Sequence, residues 1–421
     1  AFSVAGITFS AGAPAYTING NAFALSGNVT NSSSNAQTIN TPFSLSTERT
    51  VSTASGNISL GGTISGSGSG GIVKTGTGTL TLTKPNTYST LTVNAGTLTL
   101  NHGGNTADTM TGAVTVNNGG TLKFGTYNQF AQGPTIPVVV NAGGAVDSSG
   151  TVTTFKNLTL AGGNLLGKGG FNPSWGAFAL LGTLSVTADS SILNVSGANN
   201  SISPGEFNNN QTLNINVSSG ATLTENLPIL DYPYSKTNVY SMTKAGLGTA
   251  VFSGTNTYSG GTTLQAGTLS IATYANLPTV GTLTFTGGIL RVTGTAITNL
   301  NPYPVSWTSK GGGVDVATGG NTLAVTNALG GVGGLLKLGA GTLTLSGANS
   351  YSGDTTNSAG LLRLANPSAV SNSTVVMDGG ACVFAGSAGT NVTFGGLANT
   401  PAGVGCAVAL SNETGSAVAL T

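Results

Sequence analysis

Hydrophobic and polar residues alternate along this chain in short runs, as in Thr79-Leu80-Thr81-Leu82 and Thr97-Leu98-Thr99-Leu100, and glycine interrupts the runs. Alternation with a period of two sends successive side chains to opposite faces of a strand. Gly, Thr, Ser, Asn and Val are poor helix formers, so we expect no long helices. The pattern therefore predicts an all-β chain of many short strands with glycine at the turns.

A pair of small residues precedes an inward apolar position again and again, as in Ala95-Gly96-Thr97-Leu98 and Gly119-Gly120-Thr121-Leu122. Neighbouring pairs lie about 19–25 residues apart, which is the length of one coil of a parallel β-solenoid. Glycine at a corner permits a positive φ, which a Cβ atom would oppose. We expect Leu98, Leu122, Leu269, Leu290 and Leu362 to point inward, and Thr99, Lys123, Ser270, Arg291 and Arg363 to face water.

A longer unit occurs three times, over residues 74–100, 244–271 and 337–364. Each copy begins with Lys-x-Gly-x-Gly, continues through Asn-x-Tyr-Ser and ends in Ala-Gly-x-Leu. Repetition at this length is typical of chains that stack one structural unit on the next.

The strength of the repeat suggests a division of the chain. We interpret residues 71–421 as the β-solenoid, and residues 1–70, where the pattern is weaker, as an N-terminal β-rich segment for capping or assembly. Proline cannot donate to a strand ladder, so proline and aromatic clusters predict loop insertions near residues 171–175, 231–240 and 301–307.

The three repeated segments resemble the autotransporter-associated β-strand repeat of secreted bacterial surface proteins. The resemblance rests on Lys-x-Gly-x-Gly-Thr-Leu-Thr-Leu, Asn-x-Tyr-Ser-Gly-Gly-Thr and Ala-Gly-Thr-Leu, which label a family but contain no catalytic group. It implies an exported passenger that is folded as a right-handed parallel β-helix and is extracellular or displayed on the cell surface.

The composition narrows the classes of function. Only 5% of the 421 residues are charged, with 12 Lys+Arg, 11 Asp+Glu and a net charge of +1, against about 25% in an average domain. No basic stripe for nucleic acid is expected. Hydrophobic residues make up 38%, enough for a core, but no apolar run approaches the roughly 18 residues that a membrane-spanning helix needs.

Catalytic chemistry has few candidate residues. His102 is the only histidine, and because no Gly-x-Ser-x-Gly elbow accompanies it, we interpret it as structural or solvent-exposed. Asp354 and Asp378 lie about one coil apart, but their different offsets from the glycine corners do not predict stacking. We predict no catalytic, cofactor or metal site and no enzyme. The eleven carboxylates are Glu48, Asp108, Asp147, Asp189, Glu206, Glu225, Asp231, Asp315, Asp354, Asp378 and Glu413.

The two cysteines, Cys382 and Cys406, lie 24 residues apart, which is one coil. If both occupy the inward slot of successive coils, their Cα atoms are within disulfide range. One hypothesis is an intercoil disulfide in an oxidising location. The alternative is a stacked pair of buried thiols.

Five aromatic residues near the predicted loops are candidates for recognition of a sugar or a protein: Trp175, Tyr232, Tyr234, Tyr303 and Trp307. The alternative is that these side chains pack back onto the solenoid.

The overall prediction is a non-enzymatic extracellular structural protein, a unit of a surface layer, stalk or self-assembling fibre with adhesive capacity. Its expected partners are further copies joined through solenoid ends, surface glycans or host proteins. The alternative is a passenger scaffold that carries an enzyme or toxin activity, for instance on polysaccharide.

Overall fold

The computed structural model describes residues 2–103, 107–127, 129–130, 136–170, 176–205, 210–231, 239–278, 280–401 and 407–421. Parallel strands form a β-solenoid of about 17 turns, which confirms the predicted fold class. Within these ranges the helical segments are two short 3-10 helices, Tyr274–Asn276 and Gly386–Ala388. The chain divides into two compact units: Ala1–Leu213 with Leu223–Asn238, and Asn214–Thr222 with Val239–Thr421.

The first unit has three parallel sheets, which we call faces A, B and C. Face A contains Ser3–Val4, Phe23–Leu25, Phe43–Leu45, Ile64–Gly66, Thr87–Tyr88 and Thr109–Met110. Face B contains Ile7–Phe9, Val29–Asn31, Arg49–Thr53, Ile72–Thr75, Leu91–Val93, Val114–Val116, Val138–Asn141, Thr153–Ala161, Phe178–Ala188 and Ile202–Ser203. Face C contains Thr17–Ile18, Gln37–Ile39, Ile58–Leu60, Thr79–Leu82, Gly96–Leu100, Gly120–Phe124, Ala145–Asp147, Asn164–Gly167 and Ser190–Asn194. Two strands contain residues of both units: Gln211–Val217 and Thr222–Glu225.

The second unit has the same parallel character. Its first sheet contains Tyr240–Ala245, Thr262–Leu264, Leu283–Phe285 and Val305–Trp307. Its second sheet contains Thr249–Phe252, Thr268–Ile271, Ile289–Val292, Gly312–Val316, Leu335–Leu338, Thr355–Asn357, Val370–Met377 and Phe394–Asn399. Its third sheet contains Thr322–Val325, Thr342–Leu345, Leu361–Leu364, Ala381–Phe384 and Ala407–Asn412. The strands Asn391–Val392 and Ala419–Leu420 form a separate pair.

The core is a set of apolar ladders that run from coil to coil. Leu80 pairs with Leu98, and Leu98 pairs with Leu122, so the coils advance by 18 and then 24 residues. The five leucines predicted to point inward are all buried. The prediction that Ser270 faces water is wrong. Ser270 is 4% exposed and pairs in register with Arg291 on the next coil.

Coils also form in residues 1–70, where the sequence pattern is weaker. Face A continues in register from Ser3 through Ala24 and Ser44 to Ser65. The pattern is weak there because polar side chains replace some apolar ones inside: Asn31 is buried, and its Nδ2 donates to the Asn35 carbonyl at 2.9 Å. The capping or assembly role of this segment stays a prediction.

The predicted loop near residues 301–307 is partly a strand. Val305–Trp307 pairs in parallel with Leu283–Phe285. Pro304 is compatible with this pairing because it acts as an acceptor, and its carbonyl receives a hydrogen bond from Leu283 N at 2.8 Å. The predicted insertion at residues 171–175, and residues 232–238 of the insertion near 231–240, lie outside the described residues.

Candidate functional site

The lysine that opens the first repeat is buried. The Lys74 side chain lies inside the first unit, where it is 0% exposed. Its Nζ donates hydrogen bonds to the carbonyl oxygens of Thr75 at 2.9 Å, Gly76 at 2.7 Å and Ala95 at 2.8 Å. Val93 pairs with Lys74 across the coils, so Ala95 belongs to the next coil. The ammonium group therefore ties two coils together.

The same arrangement recurs in both other copies, where Lys244 and Lys337 are equally buried. We call each lysine with its three carbonyl acceptors a lysine cage. The acceptors are those of Ala245, Gly246 and Ala266 at 2.7, 2.8 and 3.1 Å, and of Leu338, Gly339 and Ala359 at 2.7, 2.7 and 2.9 Å. An ammonium group has three donors, so each cage satisfies its lysine completely.

A glycine follows the third acceptor in every cage. Gly96, Gly267 and Gly360 have φ values of 65°, 61° and 67°, which L-residues with a Cβ rarely adopt. A Cβ on Gly96 would lie 2.5 Å from the carbonyl oxygens of Gly76 and Gly78. The glycine of the repeated Ala-Gly pair is therefore required by the geometry of the lysine cage.

Burial perturbs the caged lysines. Desolvation lowers the pKa of Lys74, Lys244 and Lys337 from 10.5 to about 8, and the charge of Asp315 opposes this shift at Lys337. A lowered lysine pKa also occurs in nucleophilic sites. Here the amine is enclosed by its own coils and held by three carbonyls, so its role is structural.

The Asn-x-Tyr positions of the repeat also serve the interior. Tyr258 and Tyr351 are buried, and each hydroxyl bonds a threonine hydroxyl four residues on, Thr262 at 2.6 Å and Thr355 at 2.5 Å. Asn349 is buried, accepts from Leu329 N and donates to the Ala369 carbonyl, both at 2.8 Å. The repeat motif therefore specifies the core and its corners.

His102 lies in a closed polar cluster. Its Nε2 is 3.2 Å from Asp108 Oδ1, and neither side chain is exposed. Tyr88 donates its hydroxyl to Asp108 Oδ2 at 2.5 Å, and burial, followed by the Asp108 charge, raises the Tyr88 pKa. A catalytic triad needs a nucleophile that a substrate can reach, whereas this histidine and aspartate are sealed inside the solenoid.

Asp147 and Asp378 have separate partners. Asp147 pairs with Lys168 at 2.8 Å. Asp378 accepts from the hydroxyls of Ser358 and Thr400. Among the described residues, no group of three or more His, Cys, Asp or Glu side chains is placed to hold a metal ion; Glu206 lies outside them.

Cys382 occupies the inward slot of its coil. It is buried and pairs with Leu362 on one side and Val408 on the other. Burial raises the pKa of its thiol to about 12. Cys406 lies outside the described residues, so the disulfide stays a prediction.

The predicted recognition aromatics fall into three situations. Trp175, Tyr232 and Tyr234 lie outside the described residues. Tyr303 is buried, and its hydroxyl donates to the Tyr274 carbonyl at 3.2 Å, so its ring offers no face to a ligand. Trp307 is half-buried and packs against Phe285 in a tilted arrangement, with the ring centroids 4.9 Å apart and an interplanar angle of 38°.

A shallow groove of about 390 Å³ lies on the second sheet of the second unit. Its outward row runs from Ile289 through Gly313 and Leu336 to Thr356 on four paired strands. Position 313 of this row requires glycine, because the Ile289 side chain already fills the space: its Cγ1 would lie 2.8 Å from a Cβ on Gly313.

Two exposed charges of opposite sign, Lys310 and Asp354, line this groove. Trp307 reaches its edge, since the indole Nε1 donates to the Gly333 carbonyl at 3.3 Å and Gly334 lines the groove. Apolar, charged and aromatic groups thus meet on one accessible surface, which we call the groove site.

A parallel β-solenoid whose repeated polar residues are internal belongs to the class of repeat scaffolds, in which each coil packs only against its neighbours. The passenger-associated-transport repeat matches residues 72–100, 242–271 and 335–364. The chain is therefore a carrier of this autotransporter repeat and an exported, cell-surface bacterial protein. This confirms the resemblance and the localisation predicted from the sequence.

The adhesin BmaC autotransporter of Brucella suis biovar 1 is 30% identical over 297 residues, or 69% of this chain. The match covers 8% of that protein, so the chain spans a small part of the length of its relative. No solved structure matches the chain significantly. Within the described residues, no helix is long and apolar enough to cross a membrane.

Sequence reasoning missed the lysine cages and the groove site. A signal for the cages was present: Lys74 follows Ile72 at an inward position of an alternating strand, and the same holds for Lys337 after Leu335. The groove site had no comparable signal, because it depends on which coils bring Lys310 and Asp354 to the same groove.

Proposed function

We propose that this chain is a non-catalytic β-solenoid segment of an adhesin that presents the groove site to a surface ligand. The observation that carries the proposal is a contrast in burial. The Lys, Asn and Tyr side chains that the repeats share are buried, while the charged residues of the groove site are exposed. The name of the Brucella relative, an adhesin autotransporter, supports the same function. The separate partners of Asp108, Asp147 and Asp378 support a role without hydrolysis.

The test is a binding measurement with the purified full chain, labelled and applied to immobilised glycans and extracellular-matrix proteins. We expect saturable binding to at least one of them, reduced by Lys310→Glu and retained in Lys84→Glu, which changes an exposed lysine of the first unit. Binding to none of these surfaces, or release of reducing sugar from a polysaccharide, would contradict the proposal.

Homotypic assembly is a second candidate, favoured by exposed apolar side chains at turns. Leu247, Val280 and Val332 are 73%, 62% and 65% exposed, and contact with a second copy would remove their apolar surface from water. Low charge removes the repulsion that keeps molecules apart. Sedimentation velocity over a range of concentrations tests this, and a monomer throughout would refute it.

A further inference from the structure

Face C of the first unit carries a regular array of hydroxyl groups on its outer surface. Its paired strands place threonine beside threonine: Thr79 pairs with Thr97 and Thr97 with Thr121, while Thr81 pairs with Thr99. We call the whole set the threonine grid. One column consists of Thr17, Thr38, Ser59, Thr81 and Thr99, and the second of Thr79, Thr97 and Thr121.

The side chains of the grid face solvent. They alternate with Leu80, Leu98 and Leu122, which are buried, and every member of the grid is partly or fully exposed. Within the described residues, none of the eight grid hydroxyls forms a hydrogen bond to the protein. Their hydrogen-bonding capacity is therefore directed outward.

The grid has two fixed periods. Neighbouring coils lie about 4.8 Å apart, and outward positions along one strand lie about 6.6 Å apart. Threonine is stiff at χ1, so its methyl and hydroxyl groups are held in place by the strand. No charged residue interrupts the grid, and its longer column ends where Lys123 pairs with Thr99.

A ligand that contacts the whole grid at once, with the same group at each position, is itself periodic in two directions. A flexible glycan or a peptide is periodic along one direction at most, whereas a crystal surface repeats in two. The grid offers alternating hydroxyl and methyl groups. The hydroxyls replace hydrogen bonds to water and the methyls exclude water. Neither group holds a tightly bound hydration shell, whereas a lysine ammonium does. Individual contacts are small, but they add over eight positions, seven of which are threonines that are stiff at χ1.

We propose that the threonine grid binds the surface of ice. Ice presents oxygen atoms in a fixed two-dimensional lattice, and the grid presents hydroxyls in another. Crystalline polysaccharide shares the two-dimensional order, but its flat faces suit aromatic side chains, and the grid contains none. The two sources of a crystalline surface are separated by experiment. This inference concerns the first unit and does not depend on the adhesive role of the groove site.

The test uses the purified full chain in a small droplet that contains one ice crystal. We expect faceted crystals and a gap between the melting and freezing temperatures. Thr81→Lys places a hydrated charge inside the grid, between Ser59 and Thr99, and should abolish both effects. Thr92→Lys is the matched control, because Thr92 is an outward threonine of face B, where Leu91–Val93 carries only a single outward position. Circular dichroism melting of each variant establishes that it remains folded.

Three outcomes would overturn the proposal. The first is a wild-type chain that leaves ice crystals round, as buffer does. The second is full activity in both folded variants. The third is a wild-type chain that sediments with crystalline cellulose or chitin and leaves ice unaltered. Loss of ice shaping in Thr81→Lys, with ice shaping retained in Thr92→Lys, supports it.

Discussion

Replacing one caged lysine by methionine tests the reasoning on the repeat most directly. Lys244→Met keeps the length and the apolar stem of the side chain but removes the donors to Ala245, Gly246 and Ala266. We expect substantial destabilisation of the second unit. Lys74→Met should act on the first unit in the same way, because its cage has the same geometry.

The magnitude follows from two opposing contributions. Each buried carbonyl that loses its donor costs about 1–3 kcal/mol, so three cost about 6 kcal/mol at the midpoint. Removal of the charge relieves its desolvation, and a pKa lowered from 10.5 to about 8 corresponds to about 3 kcal/mol. The net expectation is a loss of about 3 kcal/mol, of the same order as the removal of one partner from a buried ion pair.

Denaturant unfolding combined with amide hydrogen exchange measures this loss. Two compact units need not unfold as one, so hydrogen exchange should show which unit is destabilised. In Lys74→Met, protection should fall at Asn94, whose amide donates to the carbonyl of residue 74. In Lys244→Met, protection should fall at Gln265, whose amide donates to the carbonyl of residue 244. The matched control is Lys84→Met at an exposed position. A change below about 1 kcal/mol, or one equal to that of the control, would refute the cage as a stabilising element.

Three further predictions concern the core. The free energy of unfolding should rise between about pH 8 and 9. The caged lysines have a pKa near 8 in the folded chain and 10.5 in the unfolded chain, so over this range the folded chain has released protons that the unfolded chain still binds. Denaturant titrations that show a fall would contradict this. Gly267→Ala should lower the free energy of unfolding by more than about 1 kcal/mol, since φ is +61° and the Cβ would meet two carbonyl oxygens at 2.4 Å. The control is Gly320→Ala, where a Cβ would meet nothing within 4 Å. In the same titration its free energy of unfolding should stay within about 0.5 kcal/mol of the wild-type value. If Cys382 and Cys406 are bonded, a thiol assay on the denatured, unreduced chain should find no reactive group; two reactive groups exclude the bond.

The coil pattern was predictable because a two-residue alternation leaves few alternatives. Leu98 and Leu122 had to lie on one side of a strand, and glycine corners at regular intervals fixed the coil length. The expectation for polar residues was less accurate. Ser270 was assigned to solvent from its parity, but its burial depends on the neighbouring coil, where Arg291 pairs with it.

The lysine cages show a different limit of sequence reasoning. A lysine on an inward position contradicts the usual rule that charges lie outside, and it becomes reasonable only when a corner supplies three carbonyls. Ala95 is 21 residues after Lys74, so the third acceptor comes from the next coil. The groove site is even harder to predict from the sequence, because Lys310 and Asp354 lie on different coils and no repeated pattern links them.

The three repeats suggest where function resides in such a chain. They agree at the cage lysine and at the closing glycine, which are interior requirements, but they differ at the exposed position between the two following glycines, which is Thr77, Leu247 or Ala340. The interior requirements are satisfied within each pair of coils, so an outward residue can change without cost to the cage beneath it. A solenoid of this kind separates stability from recognition. Its ligands should therefore be sought on outward surfaces, such as the groove site and the threonine grid, and not at the residues that define the repeat.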